Sequence, residues 1–171
     1  MVGGMPAPTE SVWDYPRPPA LDTSGGEHVV VRVGGQTIAE TVAAIRVLET
    51  SHPPTYYLPL GAFVTGTLQP ARDNRRTTCE FKGSATYFDL VVDGQRLSRA
   101  AWTYPDPAPG FEEIADYAAV TPGVVDGATS PDDGCFVDGE RVVPQEGDFY
   151  GGWITSRVQG PFKGGAGTQG W

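Results

Sequence analysis

Short runs of β-branched and other apolar residues, broken every few positions by glycine, proline or aspartate, recur along the chain. His28-Val29-Val30-Val31-Arg32-Val33 and Gln36-Thr37-Ile38-Ala39-Glu40 flank Gly34-Gly35. Two glycines between β-prone arms predict a tight hairpin, because both central residues of such a turn need positive φ. Leu90-Val91-Val92 and Gln95-Arg96-Leu97 flank Asp93-Gly94, and Cys135-Phe136-Val137 and Glu140-Arg141-Val142-Val143 flank Asp138-Gly139. Asp-Gly is a preferred type I′ pair, so three hairpins are expected. Residues 77–81 and 85–92 read as strands joined at Lys82-Gly83-Ser84. Residues 41–49 are ambiguous: Val42, Ile45 and Leu48 fit helical spacing, while their β-branched content favours extended chain. Phe111, Ile114 and Ala115 fit one face of a short helix opened by Glu112 and Glu113, acids that suit a helix N-terminus.

The expected fold is therefore mainly β: a single compact domain over residues 1–171, built from hairpins in antiparallel sheets with one or two short helices. A Pro-rich arm (1–26) and a Gly-rich arm (160–171) flank it, with Trp13, Tyr15 and Trp171 as anchors that pack the arms over the sheets. At 171 residues with 39% apolar content the chain can bury a core without staples, and its 23 glycines and 16 prolines favour short strands over long helices.

No apolar run is long enough to span a membrane, and residues 1–10 lack the pattern of a signal peptide, so a cytoplasmic address is the expectation. Cys79 and Cys135 fit that address as free thiols; a disulfide needs a fold that brings them together. The net charge is −9. Residues 106–148 hold eleven acids against the single base Arg141, which argues against free-standing nucleic-acid binding. The basic cluster Arg72, Arg75, Arg76 and Lys82 could hold one anion, with a solvated loop as the favoured reading.

Five segments carry a resemblance: Glu10-Ser11-Val12-Trp13-Asp14-Tyr15-Pro16; Val47-Leu48-Glu49-Thr50-Ser51-His52-Pro53-Pro54 with Tyr56-Tyr57; Cys79-Glu80-Phe81-Lys82-Gly83; Ala101-Trp102-Thr103-Tyr104-Pro105; and Phe149-Tyr150-Gly151-Gly152-Trp153. Over about residues 10–171 the chain resembles the domain-of-unknown-function 427 family, which also carries a nucleotidyltransferase-like label. The resemblance implies a compact mainly β domain, with kinship to the β-tent architecture of two antiparallel sheets meeting at an angle. It also marks residues 127–134 as an insertion, read as a surface loop that would alter the substrate if it bordered a pocket.

Strand alternation would place Cys79 and Phe81 on one face and Glu80 and Lys82 on the other. Cys79 then reads as a structural thiol rather than a reactive one. Glu80 and Lys82 form a same-face pair, either a general base with an electrostatic clamp or a surface ion pair, and Gly83 would let a ligand approach the backbone. His52 sits in a proline-stiffened loop beside Glu49 and can act as acid or base near neutral pH, or simply be hydrogen-bonded. Tyr57, Tyr87, Trp102 and Tyr104 would line an aromatic pocket, although such rings also fill ordinary cores.

The expectation is a small-molecule enzyme or binder with Tyr57, Tyr87, Trp102 and Tyr104 for binding and His52, Glu49, Glu80 and Lys82 for polar work. The chemistry would be cofactor-independent acid–base catalysis, such as isomerisation, cyclisation or dehydration. The alternative is a non-catalytic ligand-sensing or protein-binding module that displays the acidic third. No metal site is expected, since two histidines and two cysteines are scattered at 28, 52, 79 and 135. Neither is a nucleic-acid or membrane partner, and the oligomeric state stays open. Gly165-Ala166-Gly167-Thr168-Gln169-Gly170 matches a dinucleotide fingerprint in letters only, because one residue remains after it and no helix can follow.

Overall fold

The computed structural model describes residues 10–79, 81–147 and 150–171. Strand dominates at 42% against 8% helix, and the sheets do not close into a barrel. The largest sheet has eight strands. Its path runs Ala20–Asp22, Ile45–Leu48, Thr55–Pro59, Tyr117–Val120, Gln95–Thr103, Gly83–Val92 and Leu68–Pro70, and Thr77–Cys79 pairs beside the start of Gly83–Val92. Every pairing in it is antiparallel. A second sheet orders Glu140–Arg141, Gly134–Val137, Val29–Val33 and Gln36–Thr41.

All three hairpins form where glycine and aspartate predict them. Their turns hold Gly34 and Gly35, Asp93 and Gly94, and Asp138 and Gly139 at positive φ. The ambiguous segment resolves as strand Ile45–Leu48, in which Ile45 and Val47 face one way and Arg46 the other. The expected short helix is a single 3₁₀ turn at Glu112–Ile114, with Phe111 and Ile114 buried.

Strand alternation gives the large sheet two unlike faces. Its inner face presents Tyr56, Leu58, Leu90, Ala101, Ala118 and Val120 to Val29, Val31, Val33, Ile38, Cys135 and Val137 of the second sheet. Trp153 completes this core: it is fully buried, stacks on Tyr56 at 4.8 Å and donates its indole N–H to the Val120 carbonyl at 3.0 Å. The outer face carries Ile45, Val47, Tyr57, Ala85, Tyr104 and Ala119, with Tyr87, Trp102 and Tyr117 partly buried beside them. Cys79, Phe81, Phe111 and Ile114 pack over it.

The arms do more than cover sheets. Residues 20–22 of the N-terminal arm are an edge strand of the large sheet, and Glu10–Ser11 pairs in parallel with Val158–Gln159. Trp13 meets Trp171 edge-on at 5.3 Å and donates to the Pro161 carbonyl at 2.8 Å, so the two arms pack against each other. Residues 127–134 form a surface loop fixed to the second sheet. The buried Asp133 carboxylate accepts from the Gly34, Thr129 and Ser130 amides, and Arg141 donates to Asp126 and to the Asp133 and Pro131 carbonyls. Among the described residues no helix is long and apolar enough to cross a membrane.

Candidate functional site

Tyr57, Tyr87, Trp102 and Tyr104 share the outer face because their strands are neighbours in register. Trp102 lies opposite Tyr87 in one pairing, and its other neighbour Ala119 lies opposite Tyr57 in the next. The rings form one chain: Tyr57 to Trp102 at 6.3 Å edge-on, Tyr87 to Trp102 at 6.4 Å and Tyr57 to Tyr104 at 6.4 Å. Trp102 donates its indole N–H to the Tyr57 hydroxyl at 3.2 Å, and the Tyr87 hydroxyl meets Thr77 Oγ1 at 2.9 Å. Tyr57 is only 1% exposed, whereas Tyr87 and Trp102 stay half-buried. Burial raises the Tyr57 phenol well above its ordinary value and raises that of Tyr104 too. Both hydroxyls are therefore neutral near pH 7 and able to donate.

Two cations crown these rings. Lys82 Nζ lies 5.9 Å from the centre of the Tyr104 ring, and the Arg99 guanidinium lies 3.7 Å from that of Tyr87. Both are within cation–π range. Alternation along a strand would have put Lys82 on the face opposite Cys79, but the chain turns there. Cys79 pairs with Gly83, Phe81 and Lys82 lie in the turn between them, and Gly83 takes φ 109° against the 106–108 backbone. Lys82, Phe81 and Cys79 thus all reach the aromatic cluster. Glu80, the expected base, lies outside the described residues.

Arg99 was not foreseen. It sits at φ 51° in a bulge where the Gly83–Val92 and Gln95–Thr103 pairing shifts register. The buried Asp89 carboxylate stabilises that bulge, accepting from the Arg99 amide at 2.8 Å, the Arg96 side chain at 2.6 Å and the Arg72 amide at 3.2 Å. Burial alone would raise the Asp89 carboxyl, but these bonds outweigh it and lower it. The Arg99 side chain also donates to the Asp73 and Arg75 carbonyls, tying down the loop with the expected basic cluster. Within that loop Arg75 is held by Asp73 at 2.7 Å.

His52 and Glu49 lie in a loop that reaches the rings through a glycine pair. The His52 ring meets Tyr150 at 5.9 Å, the next residue Gly151 packs on the Trp102 indole, and Gly152 packs on Pro53. A Cβ at Gly151 would run into Trp102, and one at Gly152 into Pro53 and Gln145. His52 Nδ1 lies 2.8 Å from the Thr50 carbonyl. A carbonyl can only accept, so Nδ1 carries the proton and Nε2 keeps its lone pair. Burial lowers the His52 pKa, opposed by that hydrogen bond and by the Glu49 charge, with Lys163 and Arg17 lowering it further. Glu49 pairs with Arg17 at 3.5 Å. Beside His52, Ser51 is fully buried at φ 68°, and its hydroxyl has no hydrogen-bond partner among the described residues.

A charged cluster on the inner side of the same strands escaped the sequence reading. Arg46, 4% exposed, donates to Asp22 at 2.6 and 2.9 Å and to Glu10 at 2.9 and 3.0 Å. Arg157 pairs with Glu10 and Glu27 at 2.9 Å each, Tyr56 donates to Glu27 at 2.9 Å, and Tyr15 donates to Glu10. Burial pushes the Glu10 and Asp22 carboxyls up, but hydrogen bonds, from Arg46 and Tyr15 to Glu10 and from Ser24 and Arg46 to Asp22, bring both down to about 2. The members come from positions 10, 15, 22, 27, 46, 56 and 157, so no local spacing marks them.

Residues 20–131 match the family described as a domain of unknown function (DUF427). The chain belongs to that family. Its matched span contains Glu49, His52, Tyr57, Cys79, Lys82, Tyr87, Trp102 and Tyr104 of the candidate site, while Tyr150 to Trp153 and the outer parts of both arms lie beyond it. No curated protein matches the sequence. The nucleotidyltransferase-like label of DUF427 finds no phosphate cradle in the glycine run at 165–170. Thr168 Oγ1 accepts from the Gly164 amide at 2.9 Å and donates to the Gly165 carbonyl at 2.7 Å, closing the loop on itself. Both cysteines are free, Cys135 in the inner core and Cys79 among the outer rings.

Proposed function

We propose that this DUF427 protein binds a small planar ligand carrying negative charge on the outer face of its eight-stranded sheet. It acts on that ligand by cofactor-independent acid–base chemistry of the isomerisation, cyclisation or dehydration type. The observation that carries the reading is the pair of cations, Lys82 and Arg99, set over two rings of one aromatic cluster whose Trp102 and Tyr87 remain half-buried. Rings supply stacking area, the cations supply charge complementarity, and neutral phenols supply donors. His52, kept neutral with a basic Nε2, is the proton acceptor, and Lys82 stabilises charge as it develops. The Thr50 carbonyl orients the imidazole, and the Glu49 charge favours its protonated form. The Glu49–His52 loop also has the signs of a strained functional segment: Ser51 in the left-handed region and its buried hydroxyl without a partner. A β-tent relationship of the two packed sheets fits this arrangement.

The non-catalytic reading, a ligand sensor, keeps the same pocket. Its protein-binding form is disfavoured by the acidic third, where Glu112, Asp126, Asp133, Asp138 and Glu140 all accept hydrogen bonds from within the chain. The test is a fluorescence titration with a panel of planar aromatic carboxylates, followed by turnover assays on whichever compound binds. Trp102→Ala should abolish binding. His52→Ala and Lys82→Ala should remove turnover by orders of magnitude, His52→Ala with little change in affinity. If every substitution changes affinity alone, the protein is a sensor; if no compound quenches Trp102, the site reading fails.

A further inference from the structure

An open cleft of about 400 Å³ lies beside the outer-face cluster, lined by Thr23, Ser24, Gly25, Val42, Ala43, Ile45, Glu113 and Tyr117 and by none of Tyr57, Tyr87, Trp102 and Tyr104. Its size lies within the range of small-molecule sites. The wall formed by Val42, Ala43 and Ile45 is apolar, and Val42, 59% exposed, leaves its side chain open to a ligand in the cleft. Ile45 and Tyr117 belong both to the cleft's lining and to the outer-face cluster. The 3₁₀ turn Glu112–Ile114 brings Glu113 to the rim, and no hydrogen bond or ion pair engages Glu113 among the described residues.

Charge around the cleft is one-sided. Ser24 and Gly25 also line a small cavity with Asp22, Glu27, Ala44, Arg46 and Arg157. Arg46 and Arg157 are consumed by Glu10, Asp22 and Glu27. In the small cavity Asp22 and Glu27 balance Arg46 and Arg157, and Glu113 is the one charged residue lining the cleft itself. Among the described residues no cation pairs with it.

We infer that this cleft is a second binding site, for a small organic cation with an apolar body: an alkyl- or arylammonium whose chain lies on Val42, Ala43 and Ile45 and whose head faces Glu113. The apolar wall supplies area, and the Glu113 carboxylate selects the sign of the head group. The site shares no lining residue with the anion-favouring rings under Lys82 and Arg99, although Ile45 and Tyr117 pack in the same cluster, and it stands whether or not those rings bind anything.

Hexylammonium, hexan-1-ol and hexanoate form a matched set of probes, titrated into the full chain and followed through backbone amide resonances. Hexylammonium should move the resonances of Ala43, Ile45, Glu113 and Tyr117 saturably, with hexan-1-ol weaker and hexanoate silent. Glu113→Gln should weaken hexylammonium about fivefold, the scale of one partly solvated charge pair, and Val42→Ser should weaken both hexylammonium and hexan-1-ol. Trp102→Ala should leave hexylammonium affinity unchanged, which separates this site from the proposed one. The inference is overturned if hexylammonium moves none of these resonances, if hexanoate binds as well, or if Glu113→Gln leaves the affinity as it was. Loss of hexylammonium binding in Trp102→Ala would assign the cation to the rings and overturn it equally.

Discussion

The two faces of the eight-stranded sheet use the same residue types to different ends, and adjacent tyrosines show it. Tyr56 and Tyr57 are equally buried at 1% exposure. Tyr56 points inward, stacks on Trp153 and donates to Glu27, so its hydroxyl joins the arms to the core. Tyr57 points outward, and among the described residues its hydroxyl is hydrogen-bonded only by the indole of half-buried Trp102. Inward, aromatic area is packed between sheets and every polar tip is held by a carboxylate or a carbonyl. Outward, rings are left partly open beneath two cations. Burial alone does not separate a core ring from a binding ring; what its polar tip and its free face meet does.

Replacing one tryptophan on each face breaks the comparison most directly. Trp153→Ala removes a fully buried indole, its stack on Tyr56 and its bond to Val120, and should cost about 3–5 kcal/mol in a denaturant titration. Trp102→Ala should cost roughly half that, since its ring is partly solvated already, while abolishing binding on the outer face. Equal costs at the two positions would mean that the outer rings are ordinary core.

The next largest effect tests the inner polar network. Arg46→Met leaves Glu10 and Asp22 with fewer partners and should destabilise by about 2–4 kcal/mol, less than a sealed ion pair because both carboxylates are partly solvated. Adding Glu10→Gln should recover part of that loss, as a double-mutant cycle would register. Ligand binding on the outer face should be unchanged in folded protein. Coupling between the two would join what the sheet keeps apart.

The same contrast explains what could be read from the sequence. Hairpins were legible because Gly34-Gly35, Asp93-Gly94 and Asp138-Gly139 are local signals whose turn geometry admits few alternatives. Tyr87, Trp102 and Tyr104 were legible as a group because period-two alternation and one hairpin bring them to one face, whereas Tyr57 joins them through strand pairings that no local signal marks. Lys82 was misplaced because alternation was carried through residues 80–82, where the chain turns at Gly83 instead. Arg99 was invisible because its position depends on a bulge fixed by Asp89 ten residues earlier. The Arg46 network assembles from both ends of the chain, so only tertiary structure creates it.

A smaller effect, of opposite sign, should come from the His52 loop. Ser51 holds φ 68° with an orphaned buried hydroxyl, two features that each cost stability. Ser51→Gly relieves both and should raise the denaturation midpoint by the equivalent of about 1 kcal/mol, offset in part by the greater freedom of glycine in the unfolded chain. If the strain serves catalysis, turnover falls in the more stable protein. Unchanged stability would mean that the hydroxyl is satisfied in solution and the loop relaxed.

The smallest effect is in pH, where the two faces titrate in separate windows. Burial lowers the folded pKa of His52 below its ordinary 6.5, so between those values the unfolded chain binds more protons. Its contribution to stability is complete above pH 6.5 and is lost as pH falls towards the folded value. Glu10 and Asp22 are lowered from 4.5 and 3.8 to about 2, so their contribution is complete above about pH 4.5 and is lost as pH falls to about 2. Denaturation midpoints measured across this range should therefore decline in two steps. His52→Gln should flatten the upper step alone, and Arg46→Met should reduce the lower one alone. If His52→Gln leaves the upper step in place, the imidazole is solvated in the folded protein and is no longer the neutral base on which the outer-face chemistry depends.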